Sequence, residues 1–104
     1  MAYQGMHEIH ERAREASILL RGLSHHLRLT IVCLLTEGEK TVGELEKSLA
    51  IHQAIVSQQL ARLRTDGVVS SRRDGRRVYY AVTHPETVSL LNALSAIFPA
   101  TQSD

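Results

Sequence analysis

The stretch from Ile51 to Tyr80, IHQAIVSQQLARLRTDGVVSSRRDGRRVYY, constrains the fold of this chain more than any other. Its first half has helical periodicity: Val56, Leu60 and Leu63 recur at i, i+4 and i+7 and make one apolar stripe. Gln53, Ala54, Ser57, Gln58 and Ala61 fall on another face that is small or polar and carries no charge. Short amides and hydroxyls on such a face suit base edges in a major groove, where glutamine pairs bidentately with adenine and serine with either partner. Arg62 and Arg64 follow at a spacing that reaches phosphates, and Asp66-Gly67 stops the helix. Val68–Ser71 and Arg77–Val82 then read as two strands around Asp74-Gly75, the signal of a type I′ turn. Arg72, Arg73, Arg76 and Arg77 crowd that turn.

Each feature alone has a plain structural explanation. A polar helix face is ordinarily a solvated surface, and an arginine-rich hairpin is ordinarily an edge-protected ribbon. Their adjacency points elsewhere. Six of the twelve basic residues lie between Arg62 and Arg77, all six are arginine, and only Asp66 and Asp74 oppose them. The planar guanidinium fork matches a phosphate bidentately. A helix followed by a tight hairpin with four arginines at its tip is the pattern of a winged helix-turn-helix. Gln53, Ala54, Ser57, Gln58 and Gln59 would enter a major groove, and Arg62, Arg64 and the four wing arginines would hold the backbone.

Upstream, Ile9, Ala13, Ala16, Leu20 and Leu23 recur at alternating spacings of 4 and 3, a heptad seam on a first helix from His7 to Leu23. Such a seam packs either within the chain or on a second copy, and the small size of the chain favours the second copy. Ser24 is the expected N-cap of a second helix running to about Thr36. Leu27, Ile31, Leu34 and Leu35 form one of its faces, while Leu29, Val32 and Cys33 cover other sides, so this helix is expected at the buried centre. Thr41-Val42-Gly43-Glu44 has capping-box spacing and opens a short third helix, with Val42, Leu45 and Leu49 inward. Ala50-Ile51-His52 is the turn into the fourth helix. After the hairpin, Thr83 or His84 caps a last helix with Pro85 at its first position. Its stripe is Val88, Leu91, Leu94, Ile97 and Phe98, and Pro99 ends it. Residues 1–6 and 100–104 are expected to be disordered tails. The expected fold is mainly α, in the order α-α-α-α-β-β-α, as one domain over residues 1–104.

Little else in the sequence carries chemistry. Net charge over the 104 residues is only +1, so a nucleic-acid footprint must be local. No apolar run approaches the ~20 residues of a membrane span, and MAYQGMHEIHER lacks the basic-then-apolar layout of a signal peptide. A cytoplasmic protein without membrane contact is expected. His7, His10 and Glu11 stand at i, i+3 and i+4, a spacing that holds a metal or simply solvates a helix start. His25-His26 point in different directions, and His84 and Glu86 find no partner His, Asp or Glu over Leu94–Ala100. No metal and no cofactor is therefore expected. Catalytic Ser/His/Asp spacing, a glycine-rich phosphate loop and paired-cysteine zinc motifs are all missing, so an enzyme reading has no support. Cys33 reads as a small buried hydrophobe or as a redox-sensing thiol, which requires access and a depressed pKa. Arg28 lies five residues earlier, roughly 140° round the helix, and is no local activator.

The segment LSHHLRLTIVCLLTEGEKTVGELEKSLAIHQAIVSQQLARLRTDGVVSSRRDGRRVYYAV resembles the core of an ArsR/SmtB-type winged-helix repressor, over about Leu23–Phe98. The resemblance implies a homodimer through the first and last helices, a palindromic double-stranded DNA operator, and release of DNA by an inducer. It places Gln53, Ala54, Ser57 and Gln58 on the recognition helix and the arginines near Asp74-Gly75 in the wing. The family's metal sites do not carry over. Thr41-Val42-Gly43-Glu44-Leu45 stands where its arsenic and cadmium sensors have Cys-Val-Cys-Asp-Leu, and only His84 and Glu86 stand at the front of the last helix. IVCLLTEGEKTVGEL and AIVSQQLARLR are most similar to the sulfide- and redox-sensing branch typified by SqrR, BigR and HlyU. Cys33 falls on that branch's first sensing cysteine, but Pro99 stands in the region of the second, and one sulfur cannot bridge within a subunit. Gln59 replaces the branch's usual histidine.

The expectation is therefore a sequence-specific transcriptional repressor of this type, with Cys33 as candidate sensor. Two alternatives stay open. One is a regulator of the same type without redox or metal sensing, constitutive or released by a small molecule. The other is a winged-helix protein-interaction module that binds no DNA.

Overall fold

The computed structural model describes residues 5–98. Helix α1 spans Met6–Gly22, α2 His26–Leu35, α3 Val42–Leu49, α4 Gln53–Thr65 and α5 Pro85–Ile97. Strand β1 is Lys40–Thr41, β2 is Val69–Asp74 and β3 is Arg77–Val82. The three strands form one antiparallel sheet in the order β1-β3-β2. The expected element order holds, with β1 added between the second and third helices. The expected tail over residues 1–6 is corrected at its end, because Met6 already belongs to α1. The other tail expectations and the stop at Pro99 lie outside the described residues.

The core forms where the apolar stripes converge. Ile31 and Val32 from α2, Leu45 from α3 and Val56, Leu60 and Leu63 from α4 are fully buried. Val68 and Val69 close the base of the hairpin, and Leu91 anchors α5. Each buried aliphatic side chain contributes about 1.5–3 kcal/mol of transfer free energy, so this cluster fixes α4 against α2 and α3. The capping box of α3 forms as its spacing predicts. Thr41 Oγ1 accepts from Glu44 N at 3.1 Å, and Glu44 Oε1 accepts from Thr41 N at 2.8 Å. Ala50 supplies the left-handed turn residue (φ 54°) between α3 and α4.

Two local expectations are corrected. The N-cap of α2 is His25, whose Nδ1 accepts from Leu27 N at 3.1 Å, while the Ser24 hydroxyl donates back to Arg21 O at 3.0 Å. The hairpin loop is Gly75-Arg76, closed by the pair Asp74 and Arg77. Of these two loop residues only Gly75 has positive φ, 65°. A type I′ turn needs positive φ at both central residues, whereas type II′ needs it at the first alone, so the turn has the φ pattern of type II′.

The expected burial of α2 on all sides is also corrected. Leu27, Ile31, Val32 and Leu35 are buried, but Leu29 and Leu34 are half-buried and Cys33 is exposed. α2 packs on α4 and β3, and α1, set at 96° to it, does not lie along its other side. α1 and α5 also carry bare apolar surface. Ile9, Ile18 and Leu20 on α1 are exposed, as are Ile97 and Phe98 at the end of α5. No single helix among the described residues is long and apolar enough to cross a membrane.

Candidate nucleic-acid interface

The position of α4 follows from its two sides. Val56, Leu60 and Leu63 have no exposed surface. At 100° per residue the opposite side must face out, and Gln53, Ala54, Ser57, Gln58, Ala61, Arg62 and Arg64 are all exposed. Both helix ends are defined. His52 Nδ1 accepts from Ala54 N at 3.1 Å. At the other end Val68 N donates to Leu63 O at 2.9 Å and Gly67 N to Arg64 O at 3.0 Å, a Schellman pair with Gly67 at φ 75°. The polar, uncharged face expected from spacing is thus a real surface on a helix hydrogen-bonded at both ends.

The wing distributes its arginines unequally. Side chains alternate across a strand, and cross-strand partners share a face. Arg72 pairs with Tyr79 and Asp74 with Arg77 on one face, whereas Arg73 pairs with Val78 on the face that continues into Tyr80 and Val82 against the core. Arg76 sits in the loop. Guanidinium groups therefore reach solvent on both faces of the tip. Arg72 is engaged: its Nε donates to Glu39 Oε2 at 2.9 Å, its Nη2 to Glu39 Oε1, and its Cζ lies 4.6 Å from the Tyr79 ring centroid. The bonded guanidinium holds the Glu39 carboxyl below the usual carboxylate range. Arg77 is held further toward its charged form, first by the Tyr79 hydroxyl and then by Glu44 and Asp74. Arg62 pairs with Asp66 at 3.2 Å on the exposed surface. Arg64, Arg73 and Arg76 have no side-chain partner among the described residues.

Between the wing and the starts of α3 and α4 lies an open groove of about 590 Å³, lined in part by Gln53, Arg76, Arg77, Glu44 and Lys47. Lys47 has no place in the sequence reading. It lies on the outer side of α3, opposite the Leu45 stripe, and its helical phase relative to Leu45 is the signal in the sequence that marks it. Glu44 is the opposing charge, but its carboxylate is committed to the α3 cap, and the Thr41 backbone N–H lowers its pKa.

Gln59 stands apart from the other predicted groove residues. It is half-buried, and its Oε1 accepts from Arg28 Nη1 at 3.2 Å, so this amide turns toward α2. Cys33 lies on α2, outside this surface, with partial burial pushing its thiol pKa up. Among the described residues no three His, Cys, Asp or Glu side chains are placed to hold a metal ion.

Comparison with known proteins gives a consistent set of likenesses. Residues 25–71 match the family described as bacterial regulatory protein, arsR family. The chain is 45% identical over 93 residues to a biofilm growth-associated repressor of Xylella fastidiosa, covering 89% of this chain and 82% of that protein. It is 32% identical over 97 residues to the transcriptional activator HlyU of Vibrio cholerae, covering 93% of this chain and 90% of the relative. The crystal structure of the repressor BigR from Xylella fastidiosa superposes with a TM-score of 0.85 at 44% identity, covering 91% of this chain and 97% of the other.

Proposed function

The chain belongs to the ArsR family of bacterial regulatory proteins and is a DNA-binding transcriptional regulator, and on that premise we propose that it acts as a homodimeric repressor on a palindromic operator. The observation that carries the reading is the exposed, uncharged face of α4 beside a wing whose tip carries guanidinium groups on both faces. Gln53, Ala54, Ser57 and Gln58 enter a major groove and read base edges. Arg64, Arg73, Arg76 and Arg77, with Lys47 in the groove, hold phosphates on either side. Arg62 keeps Asp66 until a phosphate replaces it, and Arg72 holds the wing against Glu39.

The bare apolar faces of α1 and α5 support a two-fold dimer through those helices. Such symmetry sets two copies of α4 about one DNA turn apart, roughly 10 bp. Repression follows the relative described as a repressor. The signal that releases DNA is not an intrasubunit disulfide, because Cys33 is the chain's one cysteine.

Fluorescence anisotropy with labelled duplexes tests the assignment. Arg73→Ala with Arg77→Ala is expected to weaken binding to all sequences alike and to lower the salt slope by about one per lost phosphate contact. Gln58→Ala is expected to cost roughly 1–3 kcal/mol on the operator and to relax preference at one base pair. Operator preference left intact by Gln58→Ala removes α4's outward face as the reader. A protein-interaction wing shows no salt-dependent affinity for duplex DNA in the same titration.

A further inference from the structure

Arg28 makes two contacts that leave its own helix. Its Nε donates to the carbonyl of Gly22 at 3.1 Å, and its Nη1 donates to Oε1 of Gln59 at 3.2 Å. Gly22 is buried at the end of α1, so close to the hairpin base that an added Cβ would lie 2.8 Å from Val68 Cγ2. Arg28 therefore rests on a tightly packed point and reaches from it to the middle of the recognition helix.

A guanidinium carries donors and no acceptor, so the atom of Gln59 that faces Arg28 must be the carbonyl oxygen. A free glutamine presents either end of its amide, since rotation about its last bond exchanges them. Gln59 has lost that choice. Its Oε1 is turned inward onto α2, and Nε2 is the end left over. Among the described residues Nε2 has no acceptor, and it is not buried: the one buried side-chain polar atom among them without a partner is the Thr87 hydroxyl. Pairing with adenine needs both amide atoms along one edge, one donating and one accepting. With the oxygen side committed to Arg28, that edge cannot lie flat on a base.

Location decides what Nε2 meets. Gln59 is on the flank of α4, between the buried stripe and the outward face, and its neighbour one turn on is the exposed Arg62. A flank of a helix seated in a groove faces the groove wall, which is phosphate, while the outward face meets the floor. We infer that Gln59 is a donor-only contact of the recognition helix, held by Arg28 so that its amide nitrogen donates to a phosphate oxygen of the operator. Gln59 thus fixes the docking of α4 without reading sequence, and Arg28 is the positioning residue behind it.

The inference rests on α4 being the recognition helix, and the test separates the two. Operator duplexes carrying a neutral methylphosphonate at each phosphate in turn are titrated with the parent protein, Gln59→Met and Arg28→Met, with thermal midpoints measured alongside. The parent is expected to lose affinity at each phosphate that the arginines and Lys47 hold and, at one further phosphate beside each half-site, roughly tenfold through the Gln59 contact. Gln59→Met is expected to show that loss on the unmodified operator and to be indifferent to the methylphosphonate there, with base preference unchanged. Arg28→Met is expected to share the indifference; if it fails to fold, Gln59→Met alone decides. A Gln59→Met protein that binds as tightly as the parent overturns the inference. So does one that loses preference at a single base pair and stays sensitive to every phosphate. A parent protein that binds no duplex DNA sinks the reading of α4 instead.

Discussion

Arg72 sits among four wing arginines in a different environment from the other three. Glu39 accepts two of its donors, and Tyr79 lies beneath its guanidinium. Because the pair is exposed, it adds little to global stability; its effect is to hold the wing. The Glu39 carboxyl is lowered by the Arg72 hydrogen bond, so its contribution is present above the ordinary glutamate range and lost as pH falls through the lower, folded value. An NMR titration is expected to place the Glu39 midpoint below the ordinary glutamate range, and Arg72→Ala is expected to return it to that range. Arg72→Ala should also leave the salt slope of DNA binding near that of the parent, unlike Arg73→Ala, because the Arg72 charge is already compensated. The exposure of Gln53, Ser57 and Gln58 is legible from helical spacing. The capture of Gln59 is not, because its partner lies 31 residues away and no local pattern joins them. Cys33 makes a related point: an apolar sequence around it predicts burial, yet it lies on a side of α2 that the fold leaves exposed, with its thiol pKa raised by partial desolvation.

At the scale of elements, the start of α3 is the feature most directly written in the chain. Thr41 caps it and Glu44 closes the box, so Thr41→Ala is expected to lower the unfolding free energy by about 1 kcal/mol. Chemical denaturation measures this, and no change would mean that water replaces the cap at no cost. The same residue shows where sequence reading stops. Lys40–Thr41 is a strand only because it pairs with Tyr80 and Tyr79 of β3, and two residues are too few to show alternation. The hairpin was legible as a tight turn from Asp74-Gly75, but its one-residue displacement to Gly75-Arg76 depends on strand register, which the loop sequence does not specify alone. Ser24 and His25 competed for one cap, and serine's general preference gave way to a histidine ring already in reach of Leu27 N. The stripe of α4 gave no such ambiguity, since three aliphatic residues at helical spacing have one way to be buried together.

The whole molecule is flat, 49 × 38 × 20 Å, with α1 and α5 leaving apolar side chains uncovered beyond the core. A chain of 104 residues builds only a modest core alone, and the proposed two-fold partner would cover what α1 and α5 expose. Sedimentation at micromolar concentration is expected to show a dimer without DNA, and Ala16→Glu is expected to shift it toward monomer by placing a charge in the seam. A folded parent monomer under those conditions would remove the dimer. The central claim joins that dimer to α4 and the wing, and its most direct test is selection of operators from a random duplex pool by the parent protein. The account predicts a two-fold-symmetric consensus with half-site centres about 10 bp apart; a pool with no enrichment, or a single half-site without symmetry, contradicts it.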